Sequence, residues 1–221
     1  MWDSATIMML LKETGTTLLI TLSSTFFAYI LGLPMGILLV ITAKDGLRPF
    51  APVYKILDVT VNVVRSVPFL ILLMLLIPFT RYIVGKSYGA AAVSVPLTIA
   101  AAPFIARLVE SSLLEVDKGV IEAAQSMGAG TGTIVWKVLL AEARTSLIVG
   151  ATIALGTILG YSAMAGVVGG GGLGDVAIRY GYYRYQADIM IVTVILLVIL
   201  VQILQVIGTR LSKKLDKRNT G

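Results

Sequence analysis

The chain has 221 residues, 57% of them hydrophobic and 14% charged, with 18 Lys and Arg against 12 Asp and Glu. Soluble domains carry roughly 25% charged residues, so this balance excludes an ordinary soluble domain and turns the net charge of +6 into a signal of membrane topology. Cysteine and histidine are both absent, which excludes a disulfide framework and thiolate chemistry and removes the commonest general base and transition-metal ligand.

Five segments are apolar enough to cross roughly 30 Å of hydrocarbon, which takes about 20 helical residues. The first lies within 14–43, and the acidic MWDS before it, with no small-x-small cleavage site, argues against a signal peptide. The second, 59–79, is interrupted by Arg65 and Pro68. The third is 88–106, with Pro96 and Pro103 inside it; the fourth is 146–168. The fifth, 189–209, is uncharged and has fifteen Ile, Leu and Val between Ile189 and Ile207. The predicted fold is an all-α membrane protein of five transmembrane helices. No repeat or linker marks a second domain, so residues 1–221 read as a single transmembrane domain.

The loops set orientation. Lys44, Arg48 and Lys55, then Arg107, Lys118, Lys137 and Arg144, then Arg210, Lys213, Lys214, Lys217 and Arg218 lie on one side. Lys12, Arg81, Lys86, Arg179 and Arg184 lie on the other. The basic side stays cytoplasmic, which places the N-terminus outside and the C-terminus inside. The polar loop 112–141 between the third and fourth spans is then cytosolic. Within it Val120, Ile121, Ala124 and Met127 share one helical face, and Gly128, Gly130 and Gly132 break the helix. A second helical pattern follows, with Ile134, Val135, Val138 and Leu139 on one side and Lys137 on the other. This helix–turn–helix is too polar to span a bilayer and too apolar to stand free in water. It calls for a partner's groove or the membrane surface.

Several residues stand out within the spans. Asp58, Asn62 and Arg65, at i, i+4 and i+7, share a face of the second helix. An arginine at the centre of a lipid-facing helix costs about 2.5–3.5 kcal/mol, so Arg65 is expected near the cytosolic end, paired with Asp58 or facing a wet cavity. It and Ser66 then line a pathway or anchor the interface, with Pro68 as hinge or static kink. In the fourth span Tyr161, Ser162 and Met164 interrupt a run of small residues. If that span lines a pathway, two methionines across a two-fold axis close it by dewetting. Gly169, Gly171 and Gly174 satisfy G-x-G-x-x-G, but no strand precedes them, so they form an outer loop rather than a nucleotide site. Tyr180, Tyr182, Tyr183 and Tyr185 read as an interfacial belt. The pairs Gly32/Gly36 and Gly156/Gly160 are spaced for close helix approach.

The series Glu122-Ala123-Ala124, three residues, Gly128, nine residues, Val138-Leu139-Leu140 resembles the EAA loop of ABC-importer permeases, with Ala141 where the family usually has proline. The resemblance implies a type I importer-like permease whose cytosolic coupling helix docks on an ATPase through Ile121, Glu122, Ala123, Ala124, Met127 and Gly128. RSVPFLILL at 65–73, PLTIAAAPFIARLVE at 96–110 and GYSAMAGVVGGGGLG at 160–174 are similar to permeases of methionine importers. The implied assembly is a homodimer in the bacterial inner membrane, with two cytosolic ATPase subunits and a periplasmic methionine-binding protein that faces the outer loop. ATP and magnesium would be held by the ATPases; this chain carries no Walker lysine and is expected to be a transport subunit without cofactor, metal, catalytic residue or nucleic-acid partner. Another amino acid or a small organic solute is the alternative substrate. An intramembrane enzyme is disfavoured, because no span core holds Asp or Glu and histidine is absent. A simple channel would leave the cytosolic helix–turn–helix unexplained.

Overall fold

A computed structural model describes residues 3–215, and every regular element among them is helical. The order is α1 (Ser4–Thr42), α2 (Ala51–Ser66), α3 (Phe69–Leu75), α4 (Ile77–Val84), α5 (Ala90–Leu114) and α6 (Lys118–Ser126). Then come α7 (Thr131–Thr133), a π-helical turn (Ile134–Leu139), α8 (Leu140–Glu142) and α9 (Arg144–Met164). A 3₁₀ turn (Ala165–Val168), α10 (Gly172–Val176), a second π-helical turn (Ala177–Tyr182) and α11 (Ala187–Leu215) complete it. Lys217 and Arg218, part of the predicted basic tail, lie outside the described residues.

Among the described residues four helices are long and apolar enough to cross a membrane: α1, α5, α9 with its 3₁₀ extension, and α11. The predicted second span differs. Instead of one helix over 59–79, the chain forms α2, α3 and α4, and the first break falls at Val67–Pro68. Proline lacks the N–H that a helix interior needs and pushes the residue before it out of the helical region. Pro68 itself, at φ −56° and ψ 131°, sits at the head of α3. The broken pair α2 and α3 makes a fifth crossing only if counted together.

The chain divides into two compact units, one of Met1–Phe27, Val67–Ala101 and Leu155–Gln205, the other of Ala28–Ser66, Ala102–Ala154 and Val206–Gly221. The first has a core of Leu10, Leu159, Leu173, Val176, Ile189 and Leu200. The second is centred on Leu39, Val61 and Ala106, with Met35, Tyr54 and Leu57 packed against them. In lipid there is no hydrophobic drive between helices, so close van der Waals packing must hold such elements together. In the second unit it does so through glycine. A Cβ on Gly32 would lie 2.6 Å from the Ala102 carbonyl oxygen, and one on Gly36 would lie 2.6 Å from that of Ala106. Two pairs of small residues, each at i and i+4, thus bring α1 and α5 backbone to backbone. Gly156 and Gly160 do not behave this way: a Cβ would meet only the Gln205 side chain, 3.9 Å from Gly156, and nothing at Gly160.

The same unit joins α2 to α5 by charge. The Arg107 guanidinium bridges Asp58 on α2 and Glu110 one turn along α5, the latter at 2.6 Å, and donates to the Asn62 side-chain oxygen at 2.9 Å. Asp58 therefore pairs with Arg107 and not with Arg65. Seven residues along a helix separate Asp58 and Arg65 by about 10.5 Å of axial rise, whereas Arg107 approaches from the neighbouring helix. Arg65 is exposed and makes no ion pair among the described residues.

Two stability outcomes follow from these contacts. Gly36→Ala is expected to lower the thermal stability of the detergent-solubilised protein by about 1–3 kcal/mol through overpacking against backbone. Gly15→Ala on the same helix, where an added Cβ meets nothing, should be neutral or slightly stabilising; equal losses at both sites would contradict the packing account. Arg107→Ala should cost about 1–2 kcal/mol, allowing for partial solvent screening. A double-mutant cycle with Asp58→Ala should return a coupling of about 1 kcal/mol, and no coupling would rule the bridge out.

Candidate functional site

The segment after α5 begins with a capped turn. The Asp117 side chain accepts from the Gly119 N–H at 2.7 Å, starting α6 with only three residues between it and the end of α5. Met127 N–H closes on the Ala123 carbonyl at 3.1 Å, and Gly128, at φ +79°, turns the chain out of the helix as only glycine does without strain. Of the predicted glycine breakers, Gly128 alone takes positive φ; Gly130 is extended and Gly132 lies within α7. Ile134, Val135 and Leu139 are buried and Lys137 is exposed, so the second helical pattern packs on the side its spacing predicts.

On α6 the packing is different. Ala124 is buried, but Val120 is 43% and Met127 81% exposed, and Trp136 on the following turn is 69% exposed. Glu122 and Ala123 are also exposed, Ile121 is half-buried, and Glu122 makes no ion pair among the described residues. One small side chain thus holds α6 to its own unit, while three large apolar groups and a carboxylate remain available. A cleft of about 490 Å³ opens beside Val120, with Glu115, Asp117, Glu142 and Arg144 on its wall. Sequence reading missed this cleft, because residues from 112 to 215 that share no local pattern form it.

The predicted pathway residues fall in both units. Arg65 and Ser66 end α2, where the Ser66 hydroxyl donates to the Asn62 carbonyl at 2.8 Å. Pro68 heads α3 in the other unit, followed by Phe69, whose ring stacks on Tyr161 of α9 with centroids 4.6 Å apart and planes 4° from parallel. Ser162 is buried and donates to the Leu159 carbonyl at 2.7 Å, so its hydroxyl is spent on its own helix. Met164, the last residue of α9, is 51% exposed.

Beyond Met164 the chain turns back through the glycine run. Gly169, Gly171 and Gly172 all have positive φ. Gly166 and Gly174 face each other so closely that a Cβ on Gly166 would lie 2.7 Å from the Gly174 oxygen. Asp175 pairs with Arg179, and the Arg179 and Arg184 guanidinia lie 5.6 and 4.6 Å from the Tyr180 ring centroid. Tyr182, Tyr183 and Tyr185 are exposed. No cluster of His, Cys, Asp or Glu suited to a metal ion occurs among the described residues.

Comparison with known proteins agrees along nearly the full chain. It is 50% identical over 217 residues to the probable D-methionine transport system permease protein MetI of Vibrio cholerae, covering 98% of this chain and 96% of that one. It is 46% identical over 181 residues to the methionine import system permease protein MetP of Bacillus subtilis, covering 82% of each. A chain from inward-facing structures of the MetNI methionine ABC transporter superposes with a TM-score of 0.96 at 46% identity, covering 98% of this chain and 100% of that one. The family model described as the binding-protein-dependent transport system inner membrane component matches residues 28–220, and the chain belongs to that family.

Proposed function

We propose that this chain is the permease of an ATP-driven methionine importer, working as a homodimer with two cytosolic ATPase subunits and receiving substrate from a periplasmic methionine-binding protein. The observation that carries the reading is the near-full-length similarity to relatives named as methionine permeases, together with the 0.96 superposition on the MetNI permease chain. The charge asymmetry of the loops supports five spans, with α2 and α3 together forming the second, a periplasmic N-terminus and a cytoplasmic C-terminus.

In this reading α6 is the coupling helix. Val120, Ile121 and Met127, with Trp136 beside them, enter an apolar groove of the ATPase, and Glu122 takes a basic or amide partner at its rim. Ala123 and Gly128 allow close approach. Motion of the docked helix passes to α5 through the short Asp117 turn, and to α9 through the helical run that begins at Thr131. α9 extends 21 residues, about 31 Å, to Met164. Two copies of that residue across a two-fold axis would form an apolar constriction, with Tyr161 and Ser162 behind it and Arg65, Ser66 and Pro68 as further pathway candidates. ATP-driven closure of the ATPases draws the two coupling helices together and rocks the spans outward; hydrolysis resets them. ATP and magnesium reside on the ATPases, and the loop at Gly169, Gly171 and Gly174 faces the binding protein.

Vesicles reconstituted with this chain, the ATPase and the binding protein are expected to accumulate labelled methionine only with ATP on the ATPase side. Glu122→Lys should abolish accumulation and co-purification of the ATPase. Wild-type uptake and ATPase retention in that variant would refute the coupling assignment, and accumulation without the ATPase would refute the whole reading.

A further inference from the structure

The first half of α1 lies before residue 28, where the match to the family model begins, and it has an unassigned polar contact with the glycine loop. The Glu13 carboxylate accepts a hydrogen bond from the Gly172 N–H at 2.7 Å. One helical turn on, the Thr17 hydroxyl accepts from the Leu173 N–H at 2.8 Å while donating to the Glu13 carbonyl at 3.0 Å. Gly172 and Leu173 open α10, where the first N–H groups have no partner inside the helix, and Gly171 before them offers no side-chain cap. Both are buried, so water cannot serve instead. The missing caps come from 159 and 156 residues away in sequence.

The fit leaves no slack. Gly172 sits at φ +78°, and a Cβ there would lie 2.7 Å from the Thr17 hydroxyl oxygen. On its other side the loop is held by the start of α5: Gly89 N–H donates to the Gly169 carbonyl at 3.0 Å, and a Cβ on Gly170 would meet Val93 at 2.7 Å. Gly174 packs against the backbone of Ala163, the residue before Met164, so the loop abuts the end of α9. Leu10 packs in the same apolar cluster as Leu173 and Val176.

We propose that Glu13 and Thr17 are positioning residues for transport, fastening the glycine loop to α1 and thereby setting the place of the Met164 end of α9. The proposal rests on the permease reading above. α1 is then a strap on the gate-bearing hairpin, and the stretch that lies outside the family-model match supplies the buckle.

The test uses the permease–ATPase complex with its binding protein and labelled L-methionine. Glu13→Ala and, as a milder variant of nearly the same shape, Thr17→Val are expected to speed amide exchange around Gly172 and Leu173 about tenfold, the effect of losing one hydrogen bond to a buried donor. ATP-driven uptake should fall about fivefold or more while the ATPase still co-purifies. Glu13→Gln, which keeps a side-chain oxygen acceptor, should retain both protection and uptake. Unchanged exchange in Glu13→Ala and Thr17→Val would show that the fastening does not exist. Faster exchange with wild-type uptake would show that it does not position the gate, and a Glu13→Gln variant as damaged as Glu13→Ala would overturn the acceptor role. If the wild-type complex imports no methionine, the permease reading itself falls and the role in transport falls with it; if it imports and Glu13→Ala imports equally, only this proposal fails.

Discussion

Backbone hydrogen bonding at non-helical points is the constraint on which this structure depends. A departure from helix frees N–H and C=O groups that must find partners, in hydrocarbon within the chain itself and elsewhere in the chain or in water. Three departures matter: the break at Pro68, the turn at Gly128 and the glycine run from Gly169 to Gly172. At Pro68 the missing N–H removes one donor from the problem. At Gly128 the N–H closes on the Gln125 carbonyl. In the glycine run Gly169 and Gly170 close locally on the Gly166 and Ala165 carbonyls, whereas the Gly172 N–H and that of Leu173 after it reach across to Glu13 and Thr17. Of these three bends, the glycine run is the one that fastens a helix distant in sequence.

The long helices are held differently. Gly32 and Gly36 against Ala102 and Ala106 bring two backbones into contact, which yields dispersion energy without a hydrophobic term. Arg107 adds direction, because a planar guanidinium spanning Asp58, Glu110 and Asn62 fixes both position and rotation of α2 against α5. These contacts lie in the unit that carries α6. That helix is tied down by one buried alanine and presents its larger apolar groups outward, as a handle for a partner would.

Much of this was legible in the sequence. The apolar runs located α1, α5, α9 and α11, since a 20-residue hydrophobic stretch has few alternatives. The period of Ile134, Val135 and Leu139 marked the buried side of the helical turn after α7. The order of RSVPF, the EAA series and the glycine run pointed to the family. What was not legible came from contacts distant in sequence. Spacing suggested Arg65 for Asp58, but only the fold brings Arg107 there. The GxxxG spacing was equally good at Gly32/Gly36 and Gly156/Gly160, yet among the described residues only the first pair has a helix backbone against it. Nothing local in the sequence connects Glu13 with a loop 159 residues away.

The claim on which the functional account turns is that α6 lies in the cytosol and is covered by the ATPase. Because the chain has no cysteine, Met127→Cys would introduce its sole thiol at an 81% exposed position. Labelling with a membrane-impermeant maleimide is the direct measurement. The account expects reaction in inside-out vesicles of the permease alone, protection when the ATPase is bound, and no reaction in right-side-out vesicles. Labelling from the outer face, or equal labelling with and without bound ATPase, would contradict it.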